Sequence, residues 1–348
     1  MKPFLYKSNI FVFKRVEAFI RQGFFLETIS FMWLNQLRRL LIGTLMVAGL
    51  FWLTGSADAQ PGKKFTVFVS IPPQKYFVQQ IGQERVDVQV MVPAGADAHI
   101  YEPKPRQMVA LSKAGLYFAV GVQPFEKMWL KKISASHPNM RVVHTDQGIE
   151  KIPMEAHYRG AKGNPRRKTE YGEKGGPGAG SEPHERGEMD PHIWLSPPLV
   201  KIQARTILKA LQEMDPDHRS EYEINFQAFL SALAELDADL KSIFAGKQGL
   251  EFMVLHPAWG YFAQAYGLTQ VPVEIEGKTP KPAQLKELIE LARAKNIKII
   301  FAQPQFSPKS AELLANEIGG QVVFADPLAL DWMQNLREAA QKVRNALQ

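Results

Sequence analysis

Four residues stand where the chain passes from one regular element to the next, and all four can hold a metal ion. His99 lies in the loop Pro93–Pro103 beyond the strand-like stretch Val86–Val92. His192 lies in Asp190-Pro191-His192-Ile193-Trp194-Leu195-Ser196-Pro197-Pro198, with Ser196 and Pro197 well suited to cap and open a helix. His256 directly follows the apolar run Phe252–Leu255, and Asp326 follows Gln321–Phe324. Ligands of open parallel sheets bind beyond the carboxyl ends of the strands. Three imidazoles and a carboxylate meeting there suit a divalent transition ion, with zinc favoured at a tetrahedral site. Ordinary structural roles compete: His99 as a loop residue bonded to Asp97 or Tyr101, His256 as a helix cap, Asp326-Pro327 as a turn opener. Of the remaining histidines, His137 and His218 stand in polar surface contexts, His144 ends a strand, and His157 and His184 fall in the polar run 155–189.

The chemistry of such a cluster also admits a hydrolase, because three histidines with an open fourth position can activate water. Against it, the chain has no H-E-x-x-H and no carboxylate set as a general base, and Glu102 has only its nearness to His99. The absence of cysteine rules out disulfides, thiolate ligation and a lipid-acceptor cysteine, so any metal depends on His, Asp and Glu. Ligation needs neutral imidazoles, so binding should weaken in acid.

The elements that must position these residues read as α/β. Phe65–Ser70, Val86–Val92, Leu116–Val120 and Arg141–His144 read as strands, and 74–82, 106–114 and 125–133 as helices between them. His192 is expected on a short extended piece. After it come a helix over 199–212 and a long one from Asp215-Pro216 to about Phe244. Alternation resumes with strands Phe252–Leu255, Ile297–Phe301 and Gln321–Phe324 and helices over 261–266, 285–294 and 309–318. Residues 155–189, dense in Gly, Pro, Lys, Arg and Glu, are expected to be a mobile loop. The layout is two α/β lobes, 60–213 and 247–348, joined by a linker helix within 214–246. The chain is long enough for each lobe to have its own core.

The first 59 residues differ. An apolar run over 40–53 follows Arg38-Arg39 and leads to Ala57-Asp58-Ala59, the pattern of a cleaved secretory signal with the cut after Ala59. The run is shorter than the ~20 residues a membrane span needs. Signal peptides are about 15–30 residues long, so the true start is expected at Met32, with 1–31 a mis-assigned beginning. Residues 1–59 contain seven Lys/Arg and three Asp/Glu, a net +4. Of the overall +7, only +3 remains for the rest. With no basic stripe interleaved with aromatics, a nucleic-acid partner is not expected.

Taken with these stretches, the chain beyond the signal resembles, over essentially all its length, the metal-specific solute-binding proteins of zinc and manganese ABC importers. The stretches that carry the resemblance are Gly95–Pro103 (GADAHIYEP), Asp190–Ser196 (DPHIWLS), His256–Leu268 (HPAWGYFAQAYGL) and Val323–Leu328 (VFADPL). The resemblance implies two lobes of four-stranded parallel sheet, a backbone helix, and a metal between the lobes held by His99, His192, His256 and Asp326. It also implies a monomeric periplasmic protein, not an enzyme, that passes Zn²⁺ to an inner-membrane ABC permease and its ATPase. Histidine at 256, where manganese-type relatives usually have a carboxylate, matches the zinc type and makes Mn²⁺ the less suited cargo. Residues 155–189 depart from the His-rich segment of many zinc-type relatives. A manganese carrier, a zinc-dependent hydrolase and a metal-binding adhesin on the same scaffold are the alternative readings. Release is expected through local movement of the loops bearing His256 or Asp326.

Overall fold

Short apolar strands alternating with amphipathic helices build two sheets of the same design. A computed structural model describes residues 64–121, 123–154, 189–274 and 278–347. The proposed signal segment and residues 155–188 lie outside them. Lys63–Gln348 form one compact unit. The first sheet contains β1 (Phe65–Val69), β2 (Val86–Val90), β3 (Ala114–Ala119) and β4 (Arg141–His144), all parallel in the order β2-β1-β3-β4. The second contains β5 (Glu251–Val254), β6 (Thr269–Pro272), β7 (Ile299–Ala302) and β8 (Gln321–Phe324), again parallel, in the order β6-β5-β7-β8. In both sheets the order reverses beside the first strand, which opens a crevice at the strands' carboxyl ends.

The helices are α1 (Pro72–Gly82), α2 (Pro105–Leu111), α3 (Pro124–Ser136), α4 (Pro197–Met214), α5 (Arg219–Ile243), α6 (Gly260–Tyr266), α7 (Pro282–Ala294), α8 (Lys309–Ile318) and α9 (Trp332–Ala346). The two halves repeat each other in detail. After β2 and again after β6, a helix opens on Lys-Pro-x-Gln. The Gln107 Oε1 accepts from the Lys104 N–H (2.9 Å) and the Gln284 Oε1 from the Lys281 N–H (2.8 Å). The proline takes a first-turn position where its missing N–H costs nothing.

Several expectations are corrected. The helix expected over 106–114 stops at Leu111, because Ala114 pairs with Thr66 and is drawn into β3. The long helix expected from Asp215-Pro216 starts instead at Arg219. Pro216–His218 form a tight 3₁₀ turn, with the Asp215 carboxylate bonded to the His218 ring and accepting from the Tyr222 hydroxyl. Met189, placed in the loop by sequence, pairs with Pro153 across an antiparallel bridge, and the Asp190 N–H donates to the Ile152 carbonyl at 2.9 Å. β6 and α9 were not anticipated.

The core is not divided lobe by lobe. One apolar cluster runs through both halves and includes Val67, Phe77, Leu116, Phe229, Phe252, Phe262 and Trp332. Two smaller clusters fill the far side of each sheet. Helix α5, roughly 37 Å long for its 25 residues, packs on α1 and α4 from the first half and α9 from the second. No helix among the described residues is long and apolar enough to cross a membrane.

Candidate metal centre

Each of the three histidines arrives from a different segment. His99 sits in the loop between β2 and α2, where the Asp97 carboxylate accepts its backbone N–H at 2.8 Å and fixes the turn. His256 follows the end of β5, where the chain leaves the sheet at Pro257. His192 departs from expectation: it is not on an extended piece but opens a 3₁₀ turn, Ile193–Leu195. That turn is held from the second half of the chain. Trp194 Nε1 donates to the Pro327 carbonyl (2.7 Å), Trp332 Nε1 to the Trp194 carbonyl (2.8 Å), and the Tyr261 hydroxyl to the Asp190 carbonyl (3.0 Å).

The three rings form a triangle with centroids 4.9 Å (His99–His256), 5.5 Å (His192–His256) and 6.4 Å (His99–His192) apart. One ligand nitrogen from each lies within 4.8 Å of the others. Trp194 lies against His192, and Phe306 against His256 and His99, so apolar rings wall the cluster. The cavity they line is about 20 Å³, room for one or two water-sized species.

Carboxylates behind the rings set their chemistry. His192 Nδ1 lies 2.7 Å from Asp190 Oδ1, and His256 Nδ1 lies 3.0 Å from Glu274 Oε2. A proton on each Nδ1 satisfies these contacts and leaves Nε2 as the lone-pair atom, the arrangement that orients metal-binding imidazoles and raises their basicity. His256 Nε2 is buried without a hydrogen-bond partner. Leaving such an atom unsatisfied is costly unless something binds it. Asp190 and Glu274 also bring two negative charges to match a dication.

Asp190 is held close by a glycine. A Cβ on Gly260 would come within 2.6 Å of Asp190 Oδ2, so only glycine lets α6 start against that carboxylate. Asp326 is placed differently from the histidines. Its Oδ1 accepts from Gln305 Nε2 (2.7 Å) and the Leu328 N–H (2.8 Å), and it is not part of the group whose ligand atoms lie within 4.8 Å of one another. Its neighbours Pro327 and Leu328 line the cavity. The other described histidines lie elsewhere: His137 between the Ile133 and Met108 carbonyls, His218 on Asp215, His144 near Asp146.

Sequence reasoning missed Glu274 behind His256, and Gln123 and Gln305, which line the cavity. Glu274 is 18 residues from its histidine and just past an unexpected strand, so no local spacing marked it. The Asp two residues before His192 was a usable sign, since an Asp bonds readily to backbone two residues on.

A family model described as ZnuA, zinc-uptake complex component A periplasmic, matches residues 67–346. The high-affinity zinc uptake system protein ZnuA of Bacillus subtilis (strain 168) is 29% identical over 280 residues, covering 77% of this chain and 79% of the relative. A crystal structure of ZnuA shares 42% identity at a TM-score of 0.72, over 82% of this chain and all of that one (100%). A ZnuA deletion mutant with zinc bound shares 42% identity at a TM-score of 0.70, over 82% of this chain and 98% of that one.

Proposed function

The chain belongs to the ZnuA family of periplasmic zinc-uptake components, and on that footing we propose that it captures Zn²⁺ in the periplasm and delivers it to an ABC-type permease and its ATPase at the inner membrane. The observation that carries this reading is the cluster of His99, His192 and His256, two of them backed by carboxylates and one with a buried, unpartnered Nε2. An all-nitrogen protein set suits Zn²⁺ better than Mn²⁺, which prefers carboxylate, carbonyl and water. A cavity of about 20 Å³ suits a single ion as cargo. Residues 1–59 would direct export and be removed after Ala59, and the carrier would act as a monomer.

The ion's path to solvent would run past His99. That residue is half-buried, whereas His192 and His256 are only 4% and 5% exposed. It also borders an open surface cleft with Glu102, Trp129 and Lys132. Release would then fall to the His99 loop rather than to the loops of His256 or Asp326.

Deleting the gene should halt growth in chelator-treated, zinc-limited medium. Added zinc or the wild-type gene should restore it, and a His192→Ala, His256→Ala gene should not. Normal zinc-limited growth of the deletion strain would argue against the transport role.

A further inference from the structure

Beside His99, the first half presents large apolar side chains to solvent. Ile100 is 74% exposed and Met128 49%. With Trp129 they wall an open cleft of about 500 Å³, to which His99, Glu102 and Lys132 also contribute. Lys132 Nζ lies 5.0 Å from the centre of the Trp129 ring, a cation–π contact at the rim. Helix α3 sets this up. Met128, Lys131 and Lys132 fall at i, i+3 and i+4 and share its outward face, while Phe125, Leu130 and Ile133 are buried.

Charge surrounds the cleft unevenly. Lys104, Arg106, Lys127, Lys131 and Lys132 are exposed, and Glu102 is the one exposed carboxylate among the described residues 97–132. Asp97 is turned to the His99 N–H, and Glu126 is buried. Exposed apolar side chains gathered inside a polar rim mark an interaction site, and a basic rim selects an anionic partner. A second copy of this chain would bring the same basic surface against itself. A bilayer presents a plane of headgroups, which does not fill a concave cleft with a carboxylate in its wall. A protruding protein loop does.

We propose that this face of the first half is a docking surface for the permease, one of whose periplasmic loops places an apolar side chain between Ile100, Met128 and Trp129 while its carboxylates meet Lys131, Lys132 and the other rim bases. This rests on the zinc-carrier reading above. His99 is the half-buried member of the histidine cluster and borders the same cleft, so the permease would sit over the ion's way out.

The test places the photoreactive residue p-benzoylphenylalanine at Met128 of the full chain in its own cells, with Ile224 as the control position. Ile224 is 70% exposed but lies beside the last turn of α1, which runs back from the carboxyl end of β1: its neighbour Asn225 donates to the Ile81 carbonyl at 3.1 Å. Irradiation should join position 128, and not 224, to an acidic periplasmic loop of an ABC permease, identified by sequencing the joined peptides. A product with phospholipid or with a second copy of this chain, no product at 128, or equal yield at 224 would overturn the surface. The Met128→Asp, Lys131→Glu double variant should keep wild-type zinc affinity and lower ⁶⁵Zn²⁺ uptake by a complemented deletion strain about tenfold. Unchanged uptake would overturn the surface while leaving the carrier reading intact. Failure of the wild-type gene to restore uptake would overturn both.

Discussion

At the scale of single residues, the site depends as much on what stands behind the histidines as on the histidines themselves. Glu274 holds the His256 ring by its Nδ1 side. Losing such an outer partner lowers metal affinity about 10–100-fold. Glu274→Gln should therefore weaken zinc binding by that factor, measured by competition with a chromogenic chelator, while the circular dichroism spectrum stays that of wild type. Gly260→Ala tests the other support. Its methyl would meet Asp190 Oδ2 at 2.6 Å and Gln270 Nε2 at 3.1 Å, and overpacking of this kind costs roughly 1–3 kcal/mol. Because Asp190 orients His192, the variant should lose zinc affinity as well as thermal stability; full affinity would contradict the coupling. The histidines were legible in the sequence because each follows or precedes a recognisable element. Glu274 was not, since its contact with His256 is tertiary alone.

At the scale of elements, the pattern of strands and helices was readable where apolar periodicity was undisturbed, as in β4, α8 and β8. It failed at β6, an edge strand ending in Pro272, where a missing N–H is tolerated but masks the strand signature. Helix α9 was overlooked although Trp332, Leu336, Ala339, Ala340 and Val343 recur at helical spacing and are all buried. The turn from β3 into α3 has a buried acid of its own. Glu126 accepts from the Val120 N–H and the Gly121 N–H, both at 2.6 Å, and from the Ser70 hydroxyl, which also contacts the Tyr117 hydroxyl. Burial pushes its carboxyl up to about 7, aided by the nearby Asp146 carboxylate and opposed by the Ser70, Gly121 and Val120 hydrogen bonds. A carboxyl raised from the ordinary 4.5 to about 7 on folding favours the folded state most below pH 4.5. That contribution is lost as pH rises toward 7 and is worth about 3 kcal/mol across the window. Metal-free Glu126→Gln should show a flatter dependence of Tm on pH over that range. Parallel curves for the two proteins would contradict it.

At the scale of the whole molecule, two copies of one sheet topology are joined by one large apolar cluster that runs through both, and the candidate site lies where segments of both meet. His192 shows this most directly, since its turn is bonded to Tyr261, Pro327 and Trp332. The sequence could indicate two α/β lobes and a long helix, but not the continuous core, because contacts between distant segments leave no local periodicity. An ion bound by residues from across the chain should stabilise the whole fold. Zinc at a hundred times its Kd should add about 2.7 kcal/mol, raising Tm by several degrees in a scan, and excess chelator should reverse the gain.

The central claim, a zinc-selective three-histidine site, is tested most directly by competitive titration of the chelator-stripped protein with Zn²⁺ and Mn²⁺ beside a His256→Ala variant. One tight Zn²⁺ site per chain, much weaker Mn²⁺ binding and loss of the tight site in the variant are expected. Mn²⁺ binding equal to or tighter than Zn²⁺ binding, or a variant that retains full Zn²⁺ affinity, would contradict it.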